Sequence, residues 1–449
     1  MVESAEKPDD SGFTLVEVII AMMVFALIAL GVGYSTITTL RMAADTRARE
    51  VAANLASGEI DSVRAAADPF TVYDATRSVS VGGTTYTIAR DAGWVSATGT
   101  TGGCGTGTGN LQYKRVNVAV SWTSQLTSTP AAHADTLLAP NTRLTDPHYG
   151  SVLVSVLGVD GTGASGVSVS VTPQGGGSPL TQPVAATDMD GCTYAFKVAP
   201  GTYSVSIFRS ASVDVDQQTS PAQTISVQAG QSSSAAFQYD YSGTLTVAYG
   251  PDTAPARILP SNLVSTYFSS YGMSRVPGTP GSVALHPIPS GYTAVAGGYV
   301  AAGDSSAGCL SVDSGAWTAG TVGGKALAAG SRAPAVAAPP AGASTSPVRV
   351  PMGALVVTAA AGASDVRVIS AAAPVGTGDP GCSVPQTFTY TVPASGSYTL
   401  AVPFGSWTVE EFTGGVWKPV PAARCTVPTN AAGPTVTGAV VTVDPRKLA

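Results

Sequence analysis

The chain of 449 residues has little charge: 11% of it is Asp, Glu, Lys or Arg, with 28 acidic and 22 basic side chains giving a net charge of −6. So weakly acidic a chain has no electrostatic footprint for a phosphate backbone, and nucleic acid is not expected as a partner. Histidine is scarce: His133, His148 and His286 are the three present, and none stands at useful spacing from a nucleophile or a second ligand. There is no Cys-x-x-Cys, no Gly-x-Ser-x-Gly and no His-Glu-x-x-His. That argues against a zinc site, a redox dithiol and the common hydrolase centres. The glycine-dense stretch from Gly99 to Gly109 lacks the helix and Lys-Ser/Thr of a phosphate cradle and reads as a hairpin loop. Asp188 and Asp190 begin like a calcium loop, but no glutamate follows at the required distance. An Asp-Gly turn is the favoured reading, with weak calcium binding as the alternative. The expectation is a protein that is not an enzyme and has no cofactor and no metal.

What is present is concentrated at the N-terminus. Gly12-Phe13-Thr14-Leu15-Val16-Glu17 leads into an uncharged run of 23 residues, Val18 to Leu40. Roughly 20 apolar residues cross a bilayer, whereas a secretory signal has an apolar core of only about 7–15 and a small-residue cleavage site after it. A plain membrane anchor fits the length but gives no reason for Glu17, because a carboxylate at the edge of hydrocarbon is costly and rarely accidental. These residues resemble the type IV prepilin signal, with cleavage after glycine, phenylalanine at the new N-terminus and glutamate at its fifth position.

The resemblance implies processing by prepilin peptidase between Gly12 and Phe13, N-terminal methylation of Phe13, and assembly with other pilin subunits through the N-terminal helix. It also implies a single-pass subunit waiting in the cytoplasmic membrane with its C-terminus outside, then moving to a pilus or the cell surface. Glu17 would meet the free amino group of a neighbouring subunit. In an apolar fibre core, opposite charges pair strongly and either one alone is penalised, so the pair acts as a register lock; the alternative is that Glu17 snorkels to water. The leader departs from the family in being acidic, with Glu3, Glu6, Asp9 and Asp10 against Lys7.

Past the run, Leu40, Ala44, Val51, Leu55, Ile60 and Val63 recur at helical steps, and no proline interrupts positions 13–68. One long helix over 13–68 is expected, its membrane half at 13–40, with Asp68-Pro69 as the stop. The remainder alternates Val with Ser and Thr between turn residues, which signals many short strands. The expected fold class is therefore mainly β with one long N-terminal helix. A pilin-like helix and sheet would be followed by tandem small β-sandwiches.

The expected divisions are a leader at 1–12, the helix, a pilin-like β-domain at 70–148, a sandwich at 149–240, and further β-domains at 241–350 and 351–449. Strand Tyr113–Trp122 is expected to cross the stem and to pair with Thr84–Arg90. Residues 193–205 align with 397–409, a weaker copy lies at 289–295, and each is read as a hairpin turning at Gly201 or Gly405. The region around 150–240 resembles the prealbumin-like sandwich of carboxypeptidase regulatory domains and adhesin stalks, where its role is structural. Some adhesin stalks carry a Lys–Asn amide, but no Asn lies between residues 151 and 240, so Lys197 has no such partner there. Ala326–Pro347 reads as a long loop or soft joint. Of the five cysteines, Cys382 and Cys425 share a domain and are the expected disulfide, and one cysteine must remain over.

The function implied is a minor pilin presenting modular β-domains for adhesion or pilus assembly. The alternative is a pseudopilin of a secretion or DNA-uptake machine.

Overall fold

The computed structural model describes residues 14–66, 69–96, 101–102, 111–123, 131–138, 147–251, 257–299, 309–371, 378–393, 396–433 and 436–449. The leader, Gly12 and Phe13 lie outside the described residues, as do Cys104 and most of the glycine-dense stretch.

Helix α1 runs from Leu15 to Arg64, 50 residues or about 75 Å at 1.5 Å per residue. It stops a few residues before the expected Asp68-Pro69, and Pro69–Thr71 forms a single 3-10 turn. The helix divides sharply in environment. Everything from Leu15 to Met42 is solvent-facing apart from Thr38, while Ala52, Ala56, Glu59, Ile60 and Val63 are buried. Leu40 and Ala44, expected on the packed face, are exposed; Val51 and Leu55 are half-buried. The alanines at 48, 52 and 56 make the contact instead, and their small side chains let the helix approach the sheet closely.

That sheet contains β1 (Ala75–Val81), β2 (Thr84–Ser96), β3 (Thr101–Gly102), β4 (Leu111–Trp122) and β5 (Ala131–Leu138). The order is β1-β2-β4-β5, with β3 paired to β2, all antiparallel. As expected, β2 and β4 pair, placing Tyr86 opposite Trp122 and Ile88 opposite Val120. Val116, Val118, Val120 and Trp122 alternate inward from β4 and bury against the helix, the period-2 signature of a strand with one covered face.

Next comes a two-sheet sandwich. One sheet has order β10-β12-β6-β8, the other β11-β9-β7. Its strands are β6 (Gly150–Leu157), β7 (Ser168–Gly175), β8 (Cys192–Val198), β9 (Gly201–Phe208), β10 (Ser212–Asp214), β11 (Ala222–Val227) and β12 (Ser232–Tyr241). First and last strands, β6 and β12, lie side by side and parallel. Val152, Val154, Val169, Val205, Ile207, Phe237 and Tyr239 fill the space between the sheets.

The repeated segment is not a hairpin. β8 pairs with β6 in one sheet, and β9 pairs with β7 and β11 in the other, so the turn at Ala199-Pro200 carries the chain across the sandwich. The second copy does the same: Gly396–Val402 and Gly405–Thr413 belong to different sheets. Gly201 and Gly405 have φ of 155° and 144°, a conformation that side chains rarely adopt. A Cβ on Gly201 would also run into the backbone of Gly177. The Tyr203 hydroxyl secures this corner by donating to the Ala199 carbonyl at 2.9 Å and accepting from Ser178 N at 3.0 Å.

The described residues of 243–449 form five sheets, yet one continuous hydrophobic core runs from Leu245 to Val443. The expected units 241–350 and 351–449 are thus packed together. Arg257–Ile258 adds as a parallel strand beside Thr399–Leu400, and Asn262 bonds the backbone of Thr387 and Thr389. Ala326–Pro347 is likewise not a soft joint: Val336 exchanges two backbone bonds with Tyr292, Thr244 N donates to Gly342 O, and Ala338 is buried.

The cysteine pairing differs from expectation too. Cys382 is bonded to Cys309, and Cys425 is a buried free thiol. The reason is topological: Cys382 lies at a bridge opposite Cys309, whereas Cys425 sits on a strand beside Val356–Val357. Cys192 is also disulfide-bonded.

Candidate assembly site

Thr14 is the N-cap of α1, in extended conformation at φ −73° and ψ 149°. A helix start leaves four backbone N–H groups without partners. Here Glu17 N donates to Thr14 Oγ1 at 3.3 Å, while Thr14 N donates back to Glu17 Oε2 at 3.0 Å. This reciprocal pair is a capping box. The Thr14 hydroxyl also donates to Glu17 Oε2 at 3.0 Å. The Glu17 carboxylate is therefore held by its own helix end and is not left bare beside the apolar run.

Downstream, the run hides its own polar groups. Thr36, Thr38 and Thr39 lie within the span, and their hydroxyls donate to the carbonyls of Val32, Tyr34 and Ser35, four residues back, at 2.8–2.9 Å. Each hydroxyl is satisfied within the helix, which is what hydrocarbon demands of a polar side chain. Among the described residues, α1 is the helix long and apolar enough to cross a membrane. Its apolar surface includes Met22, Phe25, Leu30 and Tyr34, each more than half exposed.

The lower half of the helix is fixed by an ionic pin that sequence reasoning missed. Glu59 projects from the buried face of α1 with its side chain 8% exposed. Its Oε2 accepts from Arg77 Nη2 and its Oε1 from Arg90 Nη1, both at 2.9 Å. Arg90 Nε also donates to the Tyr73 carbonyl at 2.9 Å. At the helix end, Arg64 Nε reaches Thr136 Oγ1 on β5 at 3.0 Å. The stem is thereby tied to both edges of the sheet.

The other residues considered from sequence take structural places. Asp188 Oδ1 accepts from the backbone N–H of Asp190 and Cys192 at 3.0 and 2.8 Å, with Gly191 at φ 73°, so the segment is a self-bonded turn. His286 is buried between modules, its Nδ1 3.0 Å from the Val213 carbonyl and its backbone N–H donating to Gln217 Oε1 at 2.8 Å. Among the described residues, no group of three or more His, Cys, Asp or Glu side chains is placed to hold a metal ion.

Comparisons with known proteins bear mainly on the N-terminus. The chain is 14% identical to the Bacillus anthracis TIE protein, covering 84% of this chain and 71% of that one with a TM-score of 0.20. It is 10% identical to the streptococcal ancillary pilin, covering 41% and 69% with a TM-score of 0.19. It is 11% identical to the major pilin subunit of Bacillus cereus, covering 66% and 96% with a TM-score of 0.19. Superpositions this loose carry no argument about fold or function. Among curated proteins, none matches the chain. Residues 7–33, by contrast, match the family described as the prokaryotic N-terminal methylation motif, over the segment where Gly12, Phe13, the capping box and the start of the apolar helix lie. Residues 7–33 of this chain thus carry the prokaryotic N-terminal methylation motif, at the head of a long helix joined to a succession of β-modules.

Proposed function

We propose that the protein is a non-enzymatic minor pilin. It is cleaved between Gly12 and Phe13 by prepilin peptidase, methylated at Phe13, and assembled with other pilin subunits through its N-terminal helix. The observation that carries this reading is the methylation motif at residues 7–33, continuous with a helix whose first half is apolar and wholly unpacked. An apolar surface of that length has two stable environments, a bilayer or a bundle of like helices. Glu17 then exchanges partners on assembly, leaving its own capping box for the amino group of a neighbour and fixing the axial stagger. The β-modules are the payload. Their bulk suits a tip or low-copy position better than the shaft, and it supports a role at the cell surface in adhesion or pilus assembly.

The test is the mature N-terminus, read by mass spectrometry from cells with and without prepilin peptidase. A chain that begins at methylated Phe13 only when the peptidase is present supports the reading. An intact Met1 leader in both strains overturns it and leaves a membrane-anchored β-protein.

A further inference from the structure

We propose that Lys114 and the Asp188–Asp190 turn form a proton-sensitive latch that docks the stem-bearing module onto the sandwich. The proposal does not depend on the pilin reading. Lys114 occupies an inward position on β4, in step with the buried Val116, Val118 and Val120, where the alternation calls for an apolar residue. It is 1% exposed. Its ammonium lies 4.0 Å from Asp190 Oδ2, which belongs to the turn leading into β8 of the sandwich. A lysine this buried is unfavourable unless paired, and here the pairing carboxylate comes from the neighbouring module.

Among the described residues, the charges around this contact do not balance. Asp188 and Asp190 approach from the sandwich, while Asp74, Asp91 and Arg90 face the same contact from the first module. Arg90 is already bound to Glu59 and to the Tyr73 carbonyl, so three carboxylates, Asp190, Asp188 and Asp74, act on Lys114, while Asp91 adds its charge at Asp190. Asp188 spends one oxygen on its own turn, and Asp74 Oδ1 accepts from Ala92 N at 2.7 Å. Asp190 is the carboxylate within ion-pair reach of the ammonium, and the crowding falls on it. Burial, followed by the charge of Asp188, raises its pKa from 3.8 to about 6, with Lys114 opposing the rise. Burial also lowers the pKa of Lys114.

The sign follows directly. The part of this rise that docking supplies, burial together with the charges of Asp74 and Asp91, gives Asp190 a contribution to docking that is present at low pH and is lost as pH rises through about 6. Mild acid therefore tightens the junction and neutral pH loosens it. Between about pH 7.5 and about pH 5 the docking equilibrium shifts by up to about tenfold, less whatever water screens at a partly exposed carboxylate.

The measurement is amine labelling of the full-length protein in detergent or nanodiscs, read by peptide mass spectrometry. Labelling of Lys114 is normalised to exposed Lys197 and Lys325 at about pH 5 and about pH 7.5, and the wild-type ratio is compared with that of Asp190→Asn at the same pH. The expected result is that Lys114 is relatively several-fold more protected at the lower pH. In Asp190→Asn, a neutral isostere of the protonated acid, protection should stay at its acidic level at both values. Equal relative protection of wild-type Lys114 at both pH values overturns the latch, as does an unchanged pH dependence in Asp190→Asn. Intact mass supplies a further check: a chain lighter by one water, mapped to the Lys114–Asp190 pair, would mean that the two had condensed to an amide and that no titrating latch exists.

Discussion

Replacing Glu59 by alanine should release the stem from its sheet. The carboxylate is nearly sealed, and removing it strands two guanidinium groups of unequal exposure: the Arg77 side chain is 54% exposed and that of Arg90 17%. Breaking a buried pair commonly costs about 3–5 kcal/mol, whereas a solvent-exposed partner contributes about 0–1 kcal/mol. Arg77 can return to water, and Arg90 keeps its bond to the Tyr73 carbonyl. The expected loss is therefore about 2–4 kcal/mol, concentrated on Arg90. Glu59→Gln retains the shape and one acceptor and should lose about half as much. Hydrogen exchange read by peptide resolves the effect by module. Peptides from β2 and β4 should lose protection by that amount, and those from β9 should be unchanged. A loss below about 0.5 kcal/mol in Glu59→Ala, or an equal loss in β9, refutes the reasoning, since the pin would then be a surface contact or the modules would unfold together.

Further outcomes follow from other sites. Burial pushes the Cys425 thiol up to about 11, so at mildly alkaline pH it stays protonated and resists alkylation until the chain is denatured; rapid labelling of Cys425 in the folded protein would contradict its placement. Gly201→Ala forces a methyl group into the Gly177 backbone at an unfavourable φ, and the sandwich should lose about 2–4 kcal/mol in exchange measurements on β9. Tyr203→Phe removes the hydroxyl that ties the same corner and should cost about 1–2 kcal/mol there, with no effect on the stem. Thr14→Val should weaken the helix start and leave Glu17 less satisfied, while Thr14→Ser restores both; amide exchange at Leu15–Val18 in nanodiscs reads the difference.

The long helix was legible because an uncharged run and the absence of proline are local facts. So was the pairing of β2 with β4, since their alternating residues leave one apolar face each. The crossing corners were not. A strand, a glycine turn and a second strand read alike whether the two strands pair with each other or face each other across a core, and only the distant partners of β8 and β9 decide. Glu59 escaped notice for a related reason: a carboxylate among alanines on a helix reads as solvent-facing until Arg77 and Arg90 arrive from the sheet. Cys382 and Cys425 are near in sequence, but Cys425 lies on a strand while Cys382 sits at an isolated bridge outside the sheets. Cys309, 73 residues before Cys382, is the one brought opposite. The self-bonded Asp188 turn was expected, while its approach to Lys114 depended on how two modules dock.

The parallel pairing of β6 with β12 has a mechanical consequence. The chain enters the sandwich at the start of β6 and leaves at the end of β12, and because the strands run the same way these points lie at opposite ends of the pair. A tether pulled between a fixed stem and a held surface would load the two strands along their length, across their hydrogen bonds. All seven residue pairs from Ser232–Ser151 to Gln238–Leu157 must then slide and fail together instead of unzipping one by one. Gly243–Tyr249 and Val348–Val350 repeat the geometry with three pairs. Tension on the chain thus loads the sandwich through a clamp in shear.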